Sequence, residues 1–138
     1  MKSQSELEKI VSGVEKRVEH SLMLRMLDKR IISRLAEKFG FKPEEVAVFI
    51  EPELPRGQYR PDIVVVAGDV IFVIEVKVTS RVRLSAVDKL LAAKEAIKDM
   101  FKAEKVIPIL AVYAKRPVVT DRILLKRLER LGIELLQV

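Results

Sequence analysis

The chain predicts an α/β fold with one mixed central sheet flanked by helices, and three observations lead there. A long amphipathic stretch opens the sequence. Three short β-branched runs follow it, two of them separated by only two residues. Helical and strand-like segments then alternate to the end, the pattern that adds parallel strands through helical crossovers. The 138 residues suit one domain, 1–138, with a core large enough to need no disulfide or structural metal.

Ser5 to Phe39 reads as helix, because Leu24, Leu27, Ile31, Ile32, Leu35 and Phe39 recur near helical period and Gly40 supplies a stop. Gly13 is a candidate break, since the helix is otherwise unusually long. Pro43, Glu44 and Glu45 form a connector to a first strand, Val46 to Ile50. Pro55 and Gly57 mark the following stretch as a loop. Ile63 to Ala67 and Val70 to Val76 are strands, and Gly68-Asp69 between them reads as a tight hairpin. Leu84 to Phe101 is a second helix, with Leu84, Val87, Leu91, Ile97 and Phe101 on one side, and Val106 to Tyr113 a fourth strand. Thr120 can cap a third helix running to Leu131, with Asp121 in its first turn and Gly132 behind it. Ile133 to Val138 is a last short strand. The order is α-β-β-β-α-β-α-β.

Composition narrows the chemistry. Cysteine is absent, which excludes disulfide frameworks and thiolate metal sites and fits a reducing, cytoplasmic setting. No apolar run is long enough for a membrane span, and Glu6, Glu8 and Lys9 interrupt the amino terminus too early for a secretory signal. No phosphate-binding glycine loop is present, so no nucleotide cofactor is expected. A net charge of +6 and a pI near 9.7 favour a polyanionic partner, although many basic proteins bind none. Abundant Lys, Glu and Arg without Asn, Cys or Trp is a hyperthermophile pattern, and a thermophilic prokaryotic source is expected.

The chemistry concentrates between Arg60 and Lys77. With Gly68 and Asp69 as loop residues, Ala67 faces Val70. Stepping outward pair by pair, Asp62 faces Glu75, and Lys77 lies two residues on along the same face. Two carboxylates at about 5 Å repel each other. Either one of them acquires a raised pKa or a cation sits between them. Such a hard oxygen pair suits Mg²⁺, which polarises a phosphate and lowers the pKa of bound water. Lys77 can then orient the water or offset phosphate charge. The plainer reading is a Glu75–Lys77 surface ion pair with Asp62 as a turn residue.

Pro61-Asp62 followed by Glu75-Val76-Lys77, in this strand-helix order, resembles the PD-(D/E)xK nuclease superfamily. The resemblance covers most of residues 24–113 and is nearest in look to archaeal Holliday-junction resolvases. It implies a restriction-endonuclease-like α-β-β-β-α-β core and metal-dependent hydrolysis of DNA phosphodiesters, structure-specific for junctions or other branched or damaged DNA. Asp62, Glu75 and the Val76 carbonyl would be metal ligands for Mg²⁺, with Mn²⁺ as a substitute, and Lys77 the catalytic lysine. These resolvases also carry a basic, glycine-containing amino-terminal motif that is missing here and a first-helix glutamate. The aligned position here is Lys29, so Asp28 or Glu19 is expected to supply that acid.

Around the site, Arg56, Gln58, Arg60, Arg81 and Arg83 are candidate nucleic-acid contacts, and equally well ordinary solvated residues. His20, the only histidine, reads as a partly buried or surface residue rather than a catalyst. Met23 and Met26 read as packing residues. Val11, Val14, Val18 and Leu22 recur at helical spacing as an exposed stripe, so residues 1–23 are a candidate dimerisation extension and a homodimer is expected. The competing functional class is a nucleic-acid-binding or scaffold protein on a nuclease fold, without catalysis.

Overall fold

The computed structural model describes residues 4–54, 59–78, 82, 84–113 and 122–138. Five strands form one sheet in the order β1-β2-β3-β4-β5. They are β1 (Ala47–Ile50), β2 (Ile63–Ala67), β3 (Val70–Lys77), β4 (Lys105–Val112) and β5 (Glu134–Gln137), with helices α1 (Gln4–Phe39), α2 (Leu84–Phe101) and α3 (Arg122–Arg130). β1, β2 and β3 are an antiparallel meander, and β4 and β5 add in parallel through α2 and α3. The expected α/β class, element order and parallel additions are all present. Strand and helix ends differ by a residue or two from the sequence reading. The proposed cap Thr120 and Asp121 lie outside the described residues.

One expectation is corrected. Gly13 does not break the first helix, which runs unbroken for 36 residues. A helical glycine costs only about 1 kcal/mol against alanine, and no proline stands nearby to add to it. The break comes at Gly40 instead. Its φ of +76° suits only glycine comfortably, and its N–H closes on the Ala36 carbonyl at 2.8 Å.

The sheet buries both faces. On one face, Leu24, Leu27, Ile31 and Leu35 of α1 pack on Ile63, Val65, Phe72, Ile74 and Ile109. On the other, Val87, Leu90 and Ile97 of α2 and Leu124 and Leu128 of α3 pack on Val64, Val73, Leu110 and Val112. Alternation along β3 therefore sends Val76 towards α1, and Glu75 and Lys77 towards the opposite face. Surface ion pairs add little to this: Lys38–Glu134, at 2.8 Å, is more than two-fifths exposed on both sides.

Phe72 is the largest fully buried side chain among the described residues, with its ring 4.9 Å from Phe39 and 5.6 Å from Phe41. It clamps the end of α1 onto the middle of β3. Phe72→Ala is expected to cost about 3–5 kcal/mol in urea unfolding. That is a large share of the roughly 5–15 kcal/mol typical of a domain. A loss below about 1 kcal/mol would remove Phe72 from the centre of the core.

Candidate active site at the ends of β2 and β3

The site is assembled by a two-residue turn. Gly68 adopts φ +62° at the first loop position, as a type II′ hairpin requires. The turn fixes Ala67 opposite Val70 and carries the ladder outward to Ile63 opposite Ile74. The next step outward brings Asp62 to Glu75, as the sequence register implies. Asp62 lies in a bend just before β2, outside the ladder proper. Its carboxylate is therefore free to turn into the space where β2 ends.

There it is held from two sides. Oδ2 accepts the backbone N–H of Val76 at 2.7 Å, taking the place of a missing ladder partner. Oδ1 lies 2.8 Å from His20 Nε2 on α1. Asp62 is the only buried polar or charged residue among those described, at 6% exposure. Burying a carboxylate is costly without such partners. The N–H and C=O of a strand residue leave it on the same side, so the Val76 carbonyl is also directed towards this gap beyond β2.

Glu75 pays the electrostatic cost of the arrangement. Its pKa is pushed up from 4.5 to about 7, first by burial and then by the negative charge of Asp62. A hydrogen bond with Asp62 raises it further, while Lys77 and His20 pull it down. Lys77 Nζ stands 3.8 Å from Glu75 Oε1, and the lysine side chain is about one-third exposed. The ion pair of the plainer reading thus exists, but inside a cluster that also holds Asp62.

Two side chains enter that the sequence reading did not assign. His20 is one. It stands four residues before Leu24, so the core stripe of α1 read backwards lands on it, and that periodicity was the available signal. Glu51 is the other. Ile50 pairs with Ile63, and the Glu51 N–H donates to the Asp62 carbonyl at 2.8 Å, so Glu51 lies beside Asp62 in the next strand over. Its φ of +49° is unusual for a side-chain-bearing residue, and its carboxylate accepts a hydrogen bond from Ser21. Nothing in the sequence revealed the β1–β2 register, because a long loop separates the strands.

Neither expected first-helix acid joins the cluster. Asp28 lies eight residues beyond His20, roughly 12 Å along the helix, and its Oδ1 accepts the N–H of Lys29 at 2.7 Å. Glu19 is exposed and borders a separate crevice with Leu22, Met23, Met26, Leu27, Val78 and Tyr113. Met23 is partly buried against the core, as expected, but Met26 is 81% exposed, at the rim of that crevice rather than in the core. Arg60 is exposed, with a terminal nitrogen 3.7 Å from Glu53 in the same loop. Arg56, Gln58, Arg81 and Arg83 lie outside the described residues.

Among the described residues, no three His, Asp or Glu side chains already converge as a closed metal site. The donor chemistry nevertheless fits a hard divalent cation. Two carboxylates and a strand-end carbonyl are partial ligation of the kind Mg²⁺ or Mn²⁺ completes with water and phosphate.

The pH dependence has a definite sign. A carboxyl group whose folded pKa is raised favours the folded state fully below its unfolded pKa. That stability is lost as pH rises through the folded value. For Glu75 the window is pH 4.5 to 7 and the loss is on the order of 3 kcal/mol. Glu75→Gln is therefore expected to raise the thermal midpoint at pH 8 by roughly 5–10 °C and to change it little at pH 4. Mn²⁺ should raise the wild-type midpoint at pH 8 and leave that of the variant nearly unmoved. Scanning calorimetry at both pH values checks this, and an equal gap at pH 4 and pH 8 would exclude Glu75 as the strained group. Comparison of the chain with protein-family models, curated proteins and solved structures gives no match, so the site stands on its own geometry.

Proposed function

We propose that the protein is a metal-dependent endonuclease that hydrolyses DNA phosphodiester bonds. The observation that carries this reading is the meeting of Asp62 and Glu75 at the ends of β2 and β3. There burial and mutual repulsion push Glu75 to about 7, with Lys77 alongside at 3.8 Å. A carboxylate pair under such strain is relieved by a cation. The sequence resemblance to PD-(D/E)xK nucleases supports the same chemistry, and within that class branched DNA such as a four-way junction is the first substrate to test.

Asp62, Glu75 and the Val76 carbonyl would hold Mg²⁺ or Mn²⁺. When bound, the cation lowers the pKa of water and neutralises charge on the scissile phosphate. His20 is a positioning residue, fixing Asp62 through Oδ1 while the Val76 N–H fixes Oδ2. Lys77 orients the attacking water and offsets charge developing on the phosphate oxygens. Water oxygen bonds to phosphorus, the bond from phosphorus to the leaving sugar oxygen breaks, and that oxygen takes up a proton. The net charge of +6 favours association with the polyanion.

A binding protein without catalysis is the second reading. Its supporting observation is that α1 offers a histidine, not an acid, to the carboxylate pair. The two readings separate in one experiment. Labelled linear duplex, single strand, flap and four-way junction are incubated with Mg²⁺ or Mn²⁺ and wild type, Asp62→Ala or Lys77→Ala. Cutting is expected only with metal, and Lys77→Ala should slow it by about 100-fold or more with unchanged circular dichroism. Tight metal-independent binding with no cutting of any substrate would favour the binding protein instead.

A further inference from the structure

We propose that the exposed face of α3 binds the phosphate backbone of duplex DNA beside the site. The inference rests on the nuclease reading only for the identity of the polyanion. The sequence resemblance behind that reading ends at residue 113, and α3 lies beyond it. Charge is spread unevenly over the helices. α2 sets Lys89, Lys94 and Lys98 against Asp88, Glu95 and Asp99. α3 sets Arg122, Lys126, Arg127 and Arg130 against Glu129 alone. This one short helix thus holds much of the chain's net charge of +6. All four cations are exposed, and none is ion-paired among the described residues.

Helical geometry gathers three of these cations on one side. Leu124 and Leu128 face the sheet and are buried. Lys126, Arg127 and Arg130 fall within about 100° of arc around Ile123, centred roughly 130° from the buried side. Arg130 follows Arg127 by three residues and Lys126 by four, and like charges at those spacings destabilise a helix. A bound polyanion removes that repulsion. With Ile123 and Leu131 the three cations line a crevice of about 500 Å³. From Ile123 to Leu131 it follows α3 for about 12 Å. Cations spread over that length suit successive phosphates, which recur about every 3.4 Å of axis along one strand. The two arginines can each grip a pair of phosphate oxygens.

Position joins this face to the site. Leu124 and Leu128 pack in one cluster with Val73 of β3, on the side of the sheet to which Glu75 and Lys77 also point. β4 and β5 lie about 5 and 10 Å from β3, well inside one turn of duplex, about 34 Å. A duplex engaged at Glu75 and Lys77 therefore has α3 within the length of its first turn. An anionic membrane is the poorer occupant. Ile123, 81% exposed, and Leu125, 44% exposed, project roughly 160° apart. The helix thus offers no continuous apolar face to sink into lipid.

Binding is measured apart from cutting. A fluorescent DNA duplex of about three helical turns is titrated in EDTA over a salt series. The proteins are wild type, the α3 variant Lys126→Gln/Arg127→Gln/Arg130→Gln, and a control, Lys98→Gln/Lys102→Gln/Lys105→Gln. The control removes the same charge from exposed positions elsewhere. The α3 variant is expected to bind roughly 10-fold more weakly or worse, with unchanged circular dichroism. Its slope of log Kd against log salt should fall by about 2–3. The control should lose much less of both. Wild-type affinity in the α3 variant overturns the proposal. So does an equal loss in the control, which would reduce the effect to net charge. Failure of wild type to bind duplex overturns it too, as does tighter α3-dependent binding to phosphatidylserine vesicles than to DNA. The nuclease reading fails separately: α3-dependent binding with no cutting of any DNA removes the enzyme and leaves this surface, and cutting with binding indifferent to α3 does the reverse.

Discussion

The Asp62 carboxylate is the contact on which the site geometry turns. One oxygen binds α1 through His20, the other binds β3 through the Val76 N–H, and its carbonyl binds β1 through Glu51. Three elements thus meet on one residue. None of those elements is strained to reach it except at Glu51. The arrangement is possible because Asp62 sits just outside the ladder. One residue further into β2, its side chain would be committed to one face of the sheet and could not lie in the hydrogen-bonding plane. Placement at the first step beyond the last ladder pair frees the carboxylate to cap the strand end.

The same placement explains which of the two acids yields. Asp62 has a donor on each oxygen. Glu75 has the competing Asp62 carboxyl as its hydrogen-bond partner, and Lys77 at 3.8 Å, beyond ordinary hydrogen-bond length. Both are largely removed from water, so the group with poorer donors bears the cost, and Glu75 rises to about 7. The fold therefore keeps one acid fully engaged and leaves its neighbour poorly satisfied. This division is costly for stability near neutral pH.

How much of this was legible follows from which signals are local. The hairpin was, because a two-residue turn with glycine at its first position fixes a register by itself, and that register brings Asp62 to Glu75. The core stripe of α1 was legible from its period, as were the parallel additions from the alternation of helix and strand. The β1–β2 register was not, since the residues between Ile50 and Ile63 impose no pairing, and Glu51 was missed with it. His20 was undervalued for a different reason. It sits on the core side of α1, but past the end of the sheet, and where a helix outruns its sheet depends on tertiary packing rather than on period. Met26 is not a core residue on the same account: it is apolar and helical, but 81% exposed at the rim of the crevice by Val78 and Tyr113.

α1 presents a histidine, not an acid, to the Asp62 carboxylate. An acidic residue on α1 would add a negative charge to a pair already in conflict. His20 instead contributes a nitrogen that satisfies Asp62 and lowers the pKa of Glu75. Glu51, the remaining carboxylate in the row across β1, β2 and β3, accepts a hydrogen bond from Ser21 instead. The cluster at the strand ends is thus two acids deep rather than three or four, with Lys77 as partial counterion. In the proposed metal-dependent reading, Asp62 and Glu75 are the carboxylates that would share a cation.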